Sequence, residues 1–272
     1  MTTYHQRQTE SALRDEIVRV CRLLYDHGWV PATDGNVSAR LGPDRILVTP
    51  SGLSKGFLAA ADLVVMDLDG QPQLSPLHGA NRHQPTSELP IHLEVYRRRP
   101  DVNAVVHAHP PTSVALSIAG IPIARCMLPE VLVTLGTIPT TAYAMPGSPE
   151  GPGVMGDLIE DHDALVLQRH GSITVGRNLM EAYLKTEKVE HAAEVTFLVA
   201  QLGDGGPLPP GEASKLIAVR RLRDQMSPAE EAALCVACGL CDPATPAPAP
   251  PANDNALVAE VTRRVLADLG RR

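Results

Sequence analysis

Aromatic side chains are scarce. Two Phe, one Trp and five Tyr make up 3% of the 272 residues, so the core has to be packed from Val, Leu, Ile and Ala. No apolar run reaches the length of about 18 residues that a membrane-spanning helix needs, and Met1-Thr2-Thr3-Tyr4-His5-Gln6-Arg7-Gln8 lacks a signal-peptide core. The expectation is a cytoplasmic protein without a membrane partner. A basic cluster is also missing. With a net charge of −7, the chain carries no electrostatic footprint for nucleic acid. The five cysteines fall at scattered spacing and, in a reducing compartment, read as thiols or ligands rather than disulfides. Hydrophobic residues reach 44%, enough to bury the core of one domain with tails.

Chemistry is concentrated around Ala104-Val105-Val106-His107-Ala108-His109-Pro110-Pro111. Successive side chains on a strand alternate faces, so His107 and His109 point the same way where the two prolines end the strand. His170 follows the apolar run Ala164-Leu165-Val166-Leu167 and precedes Gly171, which reads as a second strand end. Imidazole nitrogens with a carboxylate suit zinc, and an exchangeable position makes such a site catalytic. A pair of hydrogen-bonded core histidines explains His-Ala-His equally simply. Asn36, Ser51, Gly52, Thr86 and Ser87 offer small neutral donors and accessible amides on turns, a way to hold phosphate without Lys or Arg. If Thr86-Ser87-Glu88 opens a helix over Leu89–Tyr96, its positive end faces that phosphate; ordinary capping by Thr86 or Ser87 is compatible with this.

Periodicity predicts a helix from about Ser11 to His27, ended by Gly28, and a long helix from Leu179 to about Leu202, capped by Asn178 and stopped by Gly203. Strands are expected at Val37–Leu41, Arg45–Thr49, Leu63–Asp67, Ala104–His107, Ala164–Leu167 and Ile173–Gly176. Turn signals at Gly42-Pro43-Asp44 and Asp69-Gly70 favour hairpins and a mixed or antiparallel sheet.

Over residues 10 to 203 the ordered segments Gly35-Asn36-Val37-Ser38, Val48-Thr49-Pro50-Ser51-Gly52, Thr86-Ser87-Glu88, Val105-Val106-His107-Ala108-His109, Ile138-Pro139 with Ala142-Tyr143, and Gln168-Arg169-His170-Gly171 resemble the class II aldolase/adducin family. Within that family the resemblance is to the L-fuculose-1-phosphate aldolases. It implies an α/β fold: a three-layer α/β/α sandwich with a mixed, largely antiparallel central sheet, assembled as a ring-shaped homotetramer. His107, His109 and His170 are then ligands of Zn2+ or another divalent metal, and Glu88 is both a ligand of the empty metal and the general acid/base. The implied reaction is retro-aldol cleavage of a phosphorylated sugar, a ketose 1-phosphate, to dihydroxyacetone phosphate and an aldehyde such as lactaldehyde. The family also holds epimerases, dehydratases and decarboxylases, and the adducins, a non-enzymatic branch without the metal histidines. Pro110-Pro111-Thr112-Ser113 does not resemble the epimerase pattern. A decarboxylase needs a cation for the substrate carboxylate, for which Arg125 or Arg169 would serve. In this alignment Cys126 stands where the aldolases have a proton-donating tyrosine, with Tyr143 and Glu130 as the nearest substitutes; a small buried hydrophobe is the alternative reading of Cys126.

The expected catalytic domain covers residues 1–203. Residues 204–241 form a helical extension, with helices near Glu212–Gln225 and Pro228–Leu234, then Cys235-Val236-Ala237-Cys238-Gly239-Leu240-Cys241. Cys235, Cys238 and Cys241 resemble the first part of an iron–sulfur cluster run, but the fourth cysteine is missing from its usual place. A second zinc or iron site, a redox pair, or a helix end with reactive thiols are the other readings. Residues 242–255 are a Pro/Ala-rich linker, and 256–272 an amphipathic helix with Leu257, Val261, Val265 and Leu269 on one stripe. This tail resembles the encapsulation peptides that bind microcompartment shell proteins and place enzymes inside a bacterial microcompartment. Docking on its own tetramer or a coiled-coil tether are the alternatives.

Overall fold

The computed structural model describes residues 9–75, 77–123, 125–203, 205–223 and 226–241, and the linker and terminal helix expected at 242–272 lie outside them. Helix α1 (Glu10–Asp26) starts at Thr9, whose side chain accepts from the Ala12 amide at 3.3 Å. It stops because Gly28 adopts φ +74°, a conformation that side chains oppose. Its stripe of Leu13, Ile17, Val20, Cys21 and Leu24 is buried, as the helical spacing predicts.

Six strands follow: β1 (Asn36–Arg40), β2 (Arg45–Val48), β3 (Val64–Asp67), β4 (Ala104–Ala108), β5 (Ala164–Leu167) and β6 (Gly171–Gly176). They lie in the order β3-β2-β1-β4-β6-β5, and each neighbouring pair is antiparallel. A single parallel bridge, Thr140 with Val166, gives the sheet its mixed edge. The strands are buried along nearly their whole length because helices cover both faces of the sheet. One face meets α1 and α6 (Leu179–Leu202) through Val37, Ala39, Leu47, Val106 and Ala182. The other meets α2 (Leu89–Arg98) and α5 (Glu150–Asp161) through Ile46, Val64, Val105, Val95 and Ile159. This is the expected three-layer α/β/α arrangement. Asn178 caps α6 by accepting from the Glu181 amide at 2.8 Å, and Gly203 closes it at φ +99°.

Prolines hid three helices from the sequence reading. Pro110-Pro111 does end β4, but Pro111 also starts α3 (Pro111–Ala119), since a first-turn proline loses no intrahelical hydrogen bond. The others are α4 (Pro129–Thr134) and α5, whose Gly151, Pro152, Gly153 and Gly156 give little local helical signal.

The described residues form two compact units, one of 9–123 with 138–203 and one of 125–137 with 205–241. The second joins α4 to α7 (Pro210–Arg223) and α8 (Pro228–Ala237). Leu132 of α4 packs with Ala213 and Ile217 of α7 and Leu234 of α8. Arg220 meets Glu230 at 2.5 Å in a buried ion pair and donates to the Val133 carbonyl at 3.1 Å. Residues 125–137, expected in the catalytic domain, pack with the extension in this second unit. The expectation of free thiols is also corrected: Cys126 is bonded to Cys238 and Cys235 to Cys241, and Cys21 alone among the described cysteines is unbonded.

Candidate metal centre

The register of the sheet brings the histidines together. On the central strand β4, His107 lies opposite Asn36 of β1 and Ile173 of β6. His109 sits just beyond the strand end, its amide held by the Trp29 carbonyl at 2.8 Å. His170 occupies the tight β5–β6 turn, where its amide donates to Leu167 and Arg169 takes φ +60°. Glu88 is the residue before α2. These four offer ligand atoms that all lie within 4.8 Å of one another, a set that could hold a metal ion.

The donor chemistry fits a divalent cation. His107 donates from Nδ1 to the Ser172 carbonyl at 2.8 Å, which leaves Nε2 turned toward the centre, 3.0 Å from His109 Nε2. His109 Nδ1 faces Asp34 at 3.4 Å. Glu88 lies between the rings, with Oε2 3.1 Å from His107 Nε2 and Oε1 3.3 Å from His170 Nε2. Burial, followed by repulsion from His107, lowers His109 to about 3 and His170 to about 4, so both are neutral imidazoles at pH 7. Burial also opposes charge on His107, but the facing Glu88 outweighs it and raises its pKa. Burial pushes Glu88 up, yet His107, His170 and the Asn36 hydrogen bond together hold it well below the carboxylate range. Glu88 and His107 thus favour each other's charged form, and a metal at the centre would meet this carboxylate and the three imidazoles.

A buried polar chain supports Glu88 from behind. Asn36 Nδ2 donates to Glu88 Oε2 at 2.9 Å, and Asn36 Oδ1 is 2.5 Å from His92 Nε2. His92 Nδ1 meets Ser38 Oγ at 2.6 Å, which meets the Tyr96 hydroxyl at 2.8 Å. Asn36 was expected among the phosphate donors. Both ends of its amide are engaged, with Glu88 and with His92, and the sheet register sets it against His107. The sequence reading missed His92 and Tyr96, although Glu88, His92 and Tyr96 recur every four residues on one helix face, a polar stripe in an apolar helix. It also missed Lys55, which is buried and donates to the Thr33 and Leu53 carbonyls at 2.7 and 2.8 Å. Burial lowers its pKa.

The other expected phosphate residues surround one corner. The bridge between Pro50 and Pro85 and the Ser51 amide bonded to Gln84 hold the loop of Ser51 and Gly52 beside Thr86 and Ser87. Ser51, Gly52 and Ser87 are exposed, and Gly52 has φ +74°. Thr86 is buried and accepts from the Glu88 amide at 3.3 Å. Helix α2 has Glu88 as its N-cap and no side-chain cap, so the capping by Thr86 or Ser87 allowed above is not made. An open cleft of about 350 Å³ reaches Glu88 and His170 and is walled by Thr141, Met145 and Gln168. Tyr143 lies on the same segment and is exposed. Cys126 is no free proton donor, being bonded to Cys238, and Glu130 stands on α4 in the second unit.

The buried histidine gives a pH prediction. Burial lowers His92 from 6.5 to about 3. The unfolded chain therefore takes a proton that the folded protein refuses, so stability is complete above about pH 6.5 and is lost as pH falls toward 3. His109 and His170 act with the same sign. Urea midpoints should drop steadily between pH 7 and 4, and His92→Gln should flatten that slope; an unchanged slope would show that His92 titrates normally.

Comparison with known proteins agrees with the geometry. A family profile described as Class II Aldolase and Adducin N-terminal domain matches residues 15–197. An L-fuculose phosphate aldolase of Methanococcus maripaludis is 36% identical over 187 residues, covering 69% of this chain and 97% of that protein. A 3-oxo-tetronate 4-phosphate decarboxylase of Escherichia coli is 30% identical over 201 residues, covering 72% and 90%. Among solved structures, YgbL from Klebsiella pneumoniae superposes with a TM-score of 0.70 at 29% identity, covering 77% of this chain and 99% of that one. The profile spans the sheet and all four residues of the centre, and the chain belongs to the class II aldolase and adducin N-terminal domain family.

Proposed function

We propose that the protein is a zinc-dependent aldolase that cleaves a ketose 1-phosphate, similar to L-fuculose 1-phosphate, into dihydroxyacetone phosphate and an aldehyde. The observation that carries this reading is the placement of one carboxylate, Glu88, against three histidines, with Glu88 and His170 lining an open cleft. His107, His109, His170 and Glu88 would hold the metal. When bound, it supplies Lewis-acid neutralisation of the negative charge that carbon–carbon cleavage leaves on substrate oxygen.

The chain's own residues supply the rest. Exposed Ser51, Gly52 and Ser87, which bring two hydroxyls to one corner of the site, offer a neutral cradle for phosphate. Glu88 Oε2 is held by Asn36, so Oε1, facing His170, is the oxygen that carries the proton to the carbon left by cleavage. The His92 and Ser38 chain keeps Asn36 from turning.

The second reading is decarboxylation of an oxidised sugar phosphate, favoured by the 30% identity to the Escherichia coli decarboxylase. Metal-replete protein should be incubated with a panel of ketose 1-phosphates and 3-oxo sugar-acid phosphates. Dihydroxyacetone phosphate release is the expected result, abolished by chelation and restored by zinc. Carbon dioxide release with no triose phosphate would replace the aldolase reading with the decarboxylase one.

A further inference from the structure

The extension holds chemistry that the catalytic site does not use. Helix α8 ends at Ala237, Cys238 is its C-cap, and Gly239 takes φ +63°. That left-handed residue turns the chain back, so the Cys241 and Cys235 α-carbons are 5.5 Å apart. Cys126, 112 residues before Cys238, reaches the same helix end with its α-carbon 5.1 Å from that of Cys238. Its loop is pinned there by the Leu208 amide, which donates to the Cys126 carbonyl at 2.8 Å, and it too has positive φ, +54°. Cys126, Cys235 and Cys238 are buried, and Leu132, Ile217 and Leu234 pack around Cys126 and Cys238.

We propose that Cys126, Cys235, Cys238 and Cys241, in their thiol state, are the four ligands of one [4Fe–4S] cluster. Three cysteines spaced two residues apart, with a fourth from a distant segment, is the ligand arrangement of a single cubane in ferredoxin-type sites. The adjacent fourth cysteine missing after Cys241 is supplied by the fold. Structural zinc sites draw instead on separated pairs of ligands. The apolar surroundings exclude water, and Cys241 alone of the four is partly exposed. The two disulfides are the oxidised form of the same four sulfurs. Returning them to thiols takes four electrons and four protons, which two molecules of dithiothreitol supply as they close to their own disulfides. Seating a preformed cluster then requires the four thiols to lose their protons, with no further electron transfer.

The test uses the full chain, purified and handled without oxygen, reduced with dithiothreitol, freed of the reductant, and reconstituted with sulfide and equal amounts of ferrous and ferric iron, whose mixed oxidation states are those of the assembled cluster. The expected result is about four iron and four sulfide per chain, with the broad visible absorption of an iron–sulfur cluster. Cys126→Ser should cut bound iron by more than about half, and Cys235→Ser should do the same if the first variant does not fold. Cys21→Ser, which alters a buried thiol elsewhere, should keep the full iron content. One zinc per chain without iron, four alkylatable thiols that retain no metal after reconstitution, disulfides still intact by mass spectrometry after the anaerobic reduction, or full iron content in Cys126→Ser would each overturn the proposal.

Discussion

Gly171→Ala is expected to abolish divalent-metal binding and lower turnover by at least about a hundredfold, although it adds only one methyl group. A Cβ at this position would stand 2.3 Å from the Ala108 carbonyl oxygen, 2.8 Å from His109 Cδ2 and 3.0 Å from His107 Cε1. The first of these is a backbone atom on the central strand. Ala108 is in register with Ser172, and Gly171 with Leu167, so neither can retreat without separating β6 from a neighbour. The substitution therefore drives a wedge between His107 and His109, at and just past the end of β4, and the turn that carries the third ligand. Overpacking of this kind costs about 1–3 kcal/mol, which a domain of this size survives, so the variant should fold with a lowered melting temperature. Metal content by atomic emission, measured beside thermal unfolding, separates the two effects. Full metal occupancy in a folded Gly171→Ala protein would show that the centre has more freedom than the packing allows.

Glu88→Gln is the second large effect, with an opposite signature. Glutamine keeps the shape of the side chain and an oxygen for Asn36, while removing the charge and the ability to accept a proton. Turnover should fall by about a thousandfold, within the usual range for removal of a general acid/base. Zinc bound by the three histidines should remain, because glutamine leaves their nitrogens in place. Turnover per zinc close to that of the parent protein would remove Glu88 from proton transfer and redirect the search to the cleft segment around Tyr143.

These effects could be located because much of the fold is written locally. Strand-forming runs broken by Gly, Pro and Asp marked all six strands to within two residues, and those covered on both faces at Val64-Val65-Met66 and Ala164-Leu165-Val166-Leu167 read as continuous apolar stretches. His107 and His109 declared themselves through alternation, and His170 through its strand-end context. What stayed hidden depends on distant contacts. The engagement of Asn36 with Glu88 follows from a β1–β4 register that no local signal sets. His92 resembled any helical histidine until Asn36 and Ser38 were found on either side of it. Cys126 looked like a failed tyrosine position, and its partner lies far along the chain in a segment the family match does not reach. Helices α3 and α5 escaped because proline and glycine, read as breakers, serve there as starts and as packing surfaces. Arg98, for example, lies so close to Gly156 that a Cβ would meet its Nη2 at 2.8 Å.

The buried chain behind Glu88 has a direction. A carboxylate can only accept, so the Asn36 amide must present its hydrogens to Glu88 and its oxygen to His92. His92 must then carry its hydrogen on Nε2 and accept on Nδ1 from Ser38, whose oxygen in turn accepts from Tyr96. Every hydrogen along the line points toward the metal centre, and reversing any one would leave two donors or two acceptors facing each other. The two oxygens of Glu88 are therefore chemically distinct before any substrate arrives. In Glu88→Gln the same polarity orients the new amide, placing its oxygen toward Asn36 and its nitrogen toward His170. The variant is thus an image of the enzyme caught with the proton already on Oε1.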